Sequence, residues 1–243
     1  MASEVGHAKN VAFFEALIAF VASLGSAYAP SNGLISLGKL DNKLTDAAAA
    51  MDNVIAMNTL DSTAINARKD LYTKLKPLVT RVLSIYTSSG ADQNDIDDVK
   101  GFRRKIYGRR ATPKPKDDPA TPVDESKKTK SSAQTGFTEQ VEHLDAIIEI
   151  VAGDPKYAPN EVDLQTTALQ SYSAQLKTAN SACIASDIDA KKARKERNAV
   201  MYTPKTGLYY LAGAVKTYIN GSFGPKSPED KYVASLKFKL YDL

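Results

Sequence analysis

The chain has 243 residues, enough to bury a sizeable core without disulfide staples. Its 43% hydrophobic and 25% charged residues describe a globular chain and exclude whole-chain disorder or a polytopic membrane protein. One cysteine, two histidines and a net charge of +4 exclude a disulfide framework and an all-cysteine metal site, and leave little for histidine chemistry.

Residues 11–29 are mostly apolar and end in Ala27-Tyr28-Ala29, which resembles a secretory segment with a small-x-small cleavage site. Glu15 inside the run, the lack of a basic flank and Pro30 after the cut oppose that reading. A buried first helix is expected instead, and the single cysteine fits a reducing, cytoplasmic compartment. Leu37, Leu40, Leu44, Ala47, Met51 and Val54 then repeat at three- and four-residue intervals, the apolar seam of a second helix. Tyr72, Leu75, Val79, Val82 and Tyr86 continue the rhythm in a third, which Pro77 is expected to kink or break. A short fourth helix is expected after Gly90.

The same order returns later in the chain. Tyr28-Ala29-Pro30 recurs as Tyr157-Ala158-Pro159, 129 residues on; Leu40 matches Leu169 and Arg68 matches Arg197. At an offset of 134, Gly90 matches Gly224, Asp95 matches Glu229, Val99 matches Val233 and Tyr107 matches Tyr241. Such recurrence indicates a tandem duplication. Residues 111–136 between the copies are rich in Pro, Lys, Asp and Ser and cannot bury enough surface to order themselves, so a flexible linker is expected. The expected organisation is all-α: a first antiparallel bundle of about four helices (residues 1–110), the linker (111–136) and a second, related bundle (137–243).

In the second copy, Phe137, Val141, Leu144, Ile148 and Val151 form one stripe, with His143 on the outer side. Asn160 and Ser227 are positioned to cap helices, the latter ahead of Pro228. Leu169, Tyr172, Leu176, Ala179 and Cys183 form another stripe, in which the thiol is a small buried hydrophobe. Pro204 falls where Pro77 does.

Motifs for chemistry are missing. There is no phosphate-binding glycine loop, dinucleotide fingerprint, zincin helix or serine elbow. The acids Asp92, Asp95, Asp97 and Asp98 lack the glycine and terminal glutamate of a calcium loop, and helix-start acids account for them. His143 lacks the Glu three residues earlier that a di-metal bundle needs, and Glu4 with His7 has no mate. No catalytic residue, metal or cofactor is expected. The residues most able to bind something are the basic Arg103, Arg104, Lys105, Arg109 and Arg110, a candidate polyanion site of the salt-sensitive kind.

The runs Tyr157–Glu161, Ala193–Asn198 and Tyr202-x-Pro204-x-Thr206-Gly207-Leu208 resemble a group of uncharacterised helical proteins of Bacteroidota bacteria, over roughly residues 137–240. That group has no assigned activity, so the resemblance implies a bacterial, non-catalytic protein and no site residues. The expected function is a non-enzymatic structural or protein-interaction scaffold whose partner is itself or another protein. The alternatives are a membrane-acting helical protein of the pore-forming kind, motivated by the apolar first helix, and non-specific nucleic-acid binding through the basic cluster.

Overall fold

The computed structural model describes residues 4–109 and 135–241. Arg110 and most of the expected linker lie outside them. Among the described residues the chain is all-helical: α1 (Glu4–Ser23), α2 (Leu37–Ser88), α3 (Gln93–Ile106), α4 (Phe137–Gly153), α5 (Thr166–Tyr202), α6 (Leu208–Phe223) and α7 (Pro228–Ser235).

The boundaries follow local chemistry. Asp92 caps α3 by accepting the Asn94 N–H at 2.9 Å. Ser227 caps α7 by accepting the Asp230 N–H at 3.1 Å, with Pro228 in the first turn. Gly90 (φ +77°) and Gly224 (φ +90°) make the left-handed turns just ahead of these two helices. Asn160 does not cap α5. A 3-10 turn over Val162–Leu164 intervenes, and α5 begins at Thr166.

The two prolines behave differently. Pro204 lies in the turn between α5 and α6, where a buried Gly207 donates its N–H to Thr203 O at 2.8 Å. Pro77 lies inside α2 and does not break it. Proline costs the helix one hydrogen bond. Leu75 and Val79 on either side are fully buried, so tertiary packing holds the helix through the lost bond. The expected second and third helices of the first half are therefore one 52-residue helix.

The chain folds as two compact units, and neither is a half of the sequence. Met1–Ser62 with Ser186–Leu243 form the first, and Thr63–Ala185 the second. The first is built on Phe14, Leu17, Val21 and Leu40 packed with Leu211, Val215 and Ile219. The second is built on Val79, Val82, Tyr86 and Val99 packed with Leu144, Ile148 and Leu169. Each core thus draws on both sides of residues 110–134, which corrects the expected division into bundles 1–110 and 137–243. Lengths give the reason. The 20 residues of α1 reach along about 30 Å, whereas α2 runs for about 78 Å. The far part of α2 must find its cover elsewhere, and α3, α4 and the start of α5 supply it.

Within the second unit α3 packs on α4; within the first, α6 packs on α7 and α1 on α6. Segments of α2 and α5 also meet within each unit. Met51 and Met201 share a cluster in the first. Tyr172 donates to Leu71 O at 2.7 Å in the second, and Asn180 there donates to the Tyr72 hydroxyl at 2.9 Å.

Both Tyr-Ala-Pro corners adopt one hydrogen-bonding pattern. Tyr28 donates its hydroxyl proton to Ile35 O at 2.6 Å, and Tyr157 to Leu164 O at 2.8 Å. Each bond closes a loop that ends in a 3-10 turn just before a long helix. Burial pushes both phenols up to about 12, so they remain donors throughout the ordinary pH range. Tyr28→Phe and Tyr157→Phe should each lower stability by about 1 kcal/mol, read as a shift in urea midpoint at unchanged slope. A neutral result at either corner would mean that the hydroxyl does not hold that loop.

Candidate functional site

The predicted basic residues sit at the end of α3 in the second unit. Arg103, Arg104 and Lys105 occupy its last turn, where the exposed carbonyls favour positive charge. Tyr107 follows and is fixed by its hydroxyl, which bonds the Thr80 hydroxyl at 2.8 Å and donates to Lys76 O at 3.1 Å. Three cations gather on this ring: Arg103 at 4.7 Å, Arg109 at 5.1 Å and Lys76 at 5.5 Å from its centroid. Arg103 also donates from Nε to Thr80 Oγ1 at 3.2 Å. Lys105 turns to the neighbouring Phe102 ring, 5.0 Å away. Arg104 is exposed. The structure therefore brings Arg103 and Arg109 together, adds Lys76, and leaves Arg104 and Lys105 apart from them. Arg110 lies outside the described residues. Such a cluster can hold phosphate or carboxylate oxygens by charge and hydrogen bonding.

The acidic run has local roles. Asp92 caps α3, and Asp97 pairs with Lys100 at 2.8 Å and accepts from Gln93 at 2.8 Å. Among the described residues no three His, Cys, Asp or Glu side chains converge to hold a metal ion. A shallow cavity of about 200 Å³ lies over Thr80, Arg81, Ser84, Ile85, Glu161 and Leu164. Arg81 forks onto Asp163 nearby, an exposed pair.

Both histidines are buried, against the expectation that His143 faces outward. His143 is 7% exposed, because α3 covers that side of α4 and sets Phe102 against the imidazole with ring centroids 5.9 Å apart. Among the described residues its Nε2 has no hydrogen-bond partner. Burial, and then the charge of Lys105, hold its pKa below the ordinary value near 6.5. The unfolded chain then takes up this proton first as the pH falls. Stability should decline from about pH 6.5 downwards and level off below the depressed folded-state value. Urea midpoints between pH 7.5 and pH 5 read this, and His143→Phe should flatten the decline; an undiminished decline in the variant would assign it to another group.

A polar cluster in the first unit went unrecognised in the sequence. His7 and Asn10 are each 1% exposed. Asn10 Nδ2 donates to Lys239 O at 2.7 Å and to the Tyr202 hydroxyl at 3.2 Å. Lys239 N donates back to Asn10 Oδ1 at 3.0 Å. The Tyr202 hydroxyl bonds His7 Nδ1 at 2.7 Å. Tyr241 lies against the His7 ring at 4.8 Å and over Gly6, where a Cβ would come within 2.1 Å of its hydroxyl. One side-chain amide thus satisfies both backbone groups of Lys239 and pins the segment after α7 onto α1. The signal was present: residues 7, 10, 14, 17 and 21 share one phase, so His7 and Asn10 extend the buried stripe of Phe14, Leu17 and Val21.

α1 is also the one helix, among the described residues, long and apolar enough to cross a membrane by length and composition. Here it packs into the first unit, with Phe20 stacked on Tyr232 and Phe13 edge-on to Phe238. Its outward face carries small residues such as Ala8, Ala12 and Ala19, with Glu15. Comparison with protein-family models, curated proteins and solved structures gives no match.

Proposed function

We propose that this chain is a non-enzymatic structural or interaction scaffold, built by tandem duplication of a unit of about four helical segments and acting through two similar surfaces. The recurrence of one hydrogen-bonded corner carries the reading: Tyr28 to Ile35 and Tyr157 to Leu164, each seven residues on. Other features recur with it. Tyr28 meets Tyr218 edge-on at 5.3 Å, and Tyr157 meets Tyr86 edge-on at 6.0 Å. Tyr86 and Tyr218 lie 132 residues apart, within the range of offsets that relates the halves. A left-handed glycine and a capped helix follow each of them. Two units on one plan suit bivalent binding or head-to-tail assembly. Light scattering on a sizing column is the test. A mass above one chain that grows with concentration is expected for self-assembly, and a strictly single-chain mass at high concentration removes it.

The cation cluster on Tyr107 favours a second reading, binding of a polyanion such as nucleic acid. It requires affinity for labelled DNA or RNA to fall linearly on a logarithmic salt scale. A flat salt response, or no effect of Arg103→Glu with Arg109→Glu, excludes it. The membrane-acting alternative requires α1 to leave the core that Phe14, Leu17 and Val21 fill, and vesicle leakage tests it. The likeness of residues 137–240 to helical proteins of Bacteroidota bacteria supports a bacterial, non-catalytic reading, and the single cysteine fits a cytoplasmic setting.

A further inference from the structure

We infer that the surface each half of the chain presents to the other is a self-association surface, and that it fits the complementary half of a second copy of this chain. The inference does not need the halves to be related; it rests on how each core is composed. In the first unit, Phe14, Leu17 and Val21 from before residue 110 pack with Leu211, Val215 and Ile219 from after residue 134. In the second unit, Val79, Val82 and Tyr86 pack with Leu144, Ile148 and Val151. Polar contacts cross in the same way: Asn10 to Lys239 and His7 to Tyr202 in one unit, Tyr172 to Leu71 and Lys156 to Gly90 in the other. A half on its own would expose the apolar side of both cores, far more than a soluble chain leaves open.

Only residues 110–134 connect the halves, and the two ends of that stretch lie together: a Cβ on Gly108 would come within 2.8 Å of Thr135 Cγ2. Twenty-five residues can span about 80 Å when extended. A connection that long can close within one molecule or hand the second half to a neighbour. The exchanged dimer repeats every contact of the single chain, so the contacts themselves do not choose between them. The choice falls to the effective concentration of one half about the other, of millimolar order for tethered partners, and to how the chain is refolded.

The test keeps the full chain and places a protease site between Arg109 and Thr135. After cleavage the two pieces are expected to stay together as one particle of unchanged mass and helicity. Two pieces that separate, each folded, would overturn the inference. A second measurement uses Phe20→Cys with Tyr232→Cys in a Cys183→Ser background, since those two rings stack at 4.4 Å and belong to different halves. Refolding near millimolar concentration is expected to give a dimer whose new disulfide joins two chains, while the monomer closes its own. A dimer holding only intrachain disulfides, or no dimer at all, also overturns it. A scaffold that binds another protein through its outer surfaces would be unaffected by that failure, so the two readings fall separately.

Discussion

Leu144→Ala should lower the unfolding free energy by about 3 kcal/mol. Leu144 is fully buried in the second unit, in the stripe with Val141, Ile148 and Val151 that packs against residues from before residue 110. Truncation loses the transfer free energy of the removed methyl-bearing carbons and leaves a cavity that close-packed neighbours fill only in part. Urea denaturation followed by far-UV circular dichroism reads the effect as a lower midpoint. Because the side chain joins elements from both halves, the variant should also loosen the particle left after cleavage between Arg109 and Thr135. A loss below about 1 kcal/mol would show that the site is not close-packed, and the mixed composition of that core would lose its energetic meaning.

The second large effect is expected at Asn10. Asn10→Ala leaves the Lys239 N–H and the Lys239 carbonyl without the partner they share, and takes one bond from the Tyr202 hydroxyl, which keeps His7. Each buried polar group left unpaired costs about 1–3 kcal/mol, and water will reach some of them as the segment lifts, so a loss of about 3 kcal/mol is expected. Asn10→Asp separates hydrogen bonding from packing. It keeps the acceptor for Lys239 N but sets an oxygen against Lys239 O, so it should be no better than alanine. Hydrogen exchange at residues 237–241 should speed up in both variants while α4 stays protected. Unchanged exchange there would mean that the amide does not hold the chain end.

Much of the helical content was legible. The seams of α2, α4 and α5 follow from spacing, and their residues are buried nearly as expected: Leu40, Ala47, Val54, Leu144, Leu169 and Leu176 are all closed off from solvent. The failures share a cause. Periodicity says which face of a helix is apolar, but not which helix covers it. Nothing in the stripes at 75–86 and 141–151 says that they meet each other and not the helices of their own half. Taken alone, the stripe of Val141 and Leu144 puts His143 on the outer side of its helix. The buried surface of α4 is wider than that stripe, because α3 lies across it. Pro77 was read as a break on local grounds, and burial on both sides overrode the local rule.

The candidate site was legible only in part. A run of basic residues near 103–110 is plain in the sequence, but the ring that organises it is not, and Lys76 joins from 27 positions before Arg103. Locally, Asn10 is only a polar residue just ahead of an apolar run. Only its phase with Phe14 and Leu17 marks it as inward.

The closeness of Gly108 to Thr135 has a use in engineering. The entropy of closing a loop rises only with the logarithm of its length, about 0.6 kcal/mol for each doubling. A guest domain whose own termini lie side by side could be spliced between those two residues at little cost to the host. A fluorescent reporter seated there would label the folded protein without touching either apolar interior.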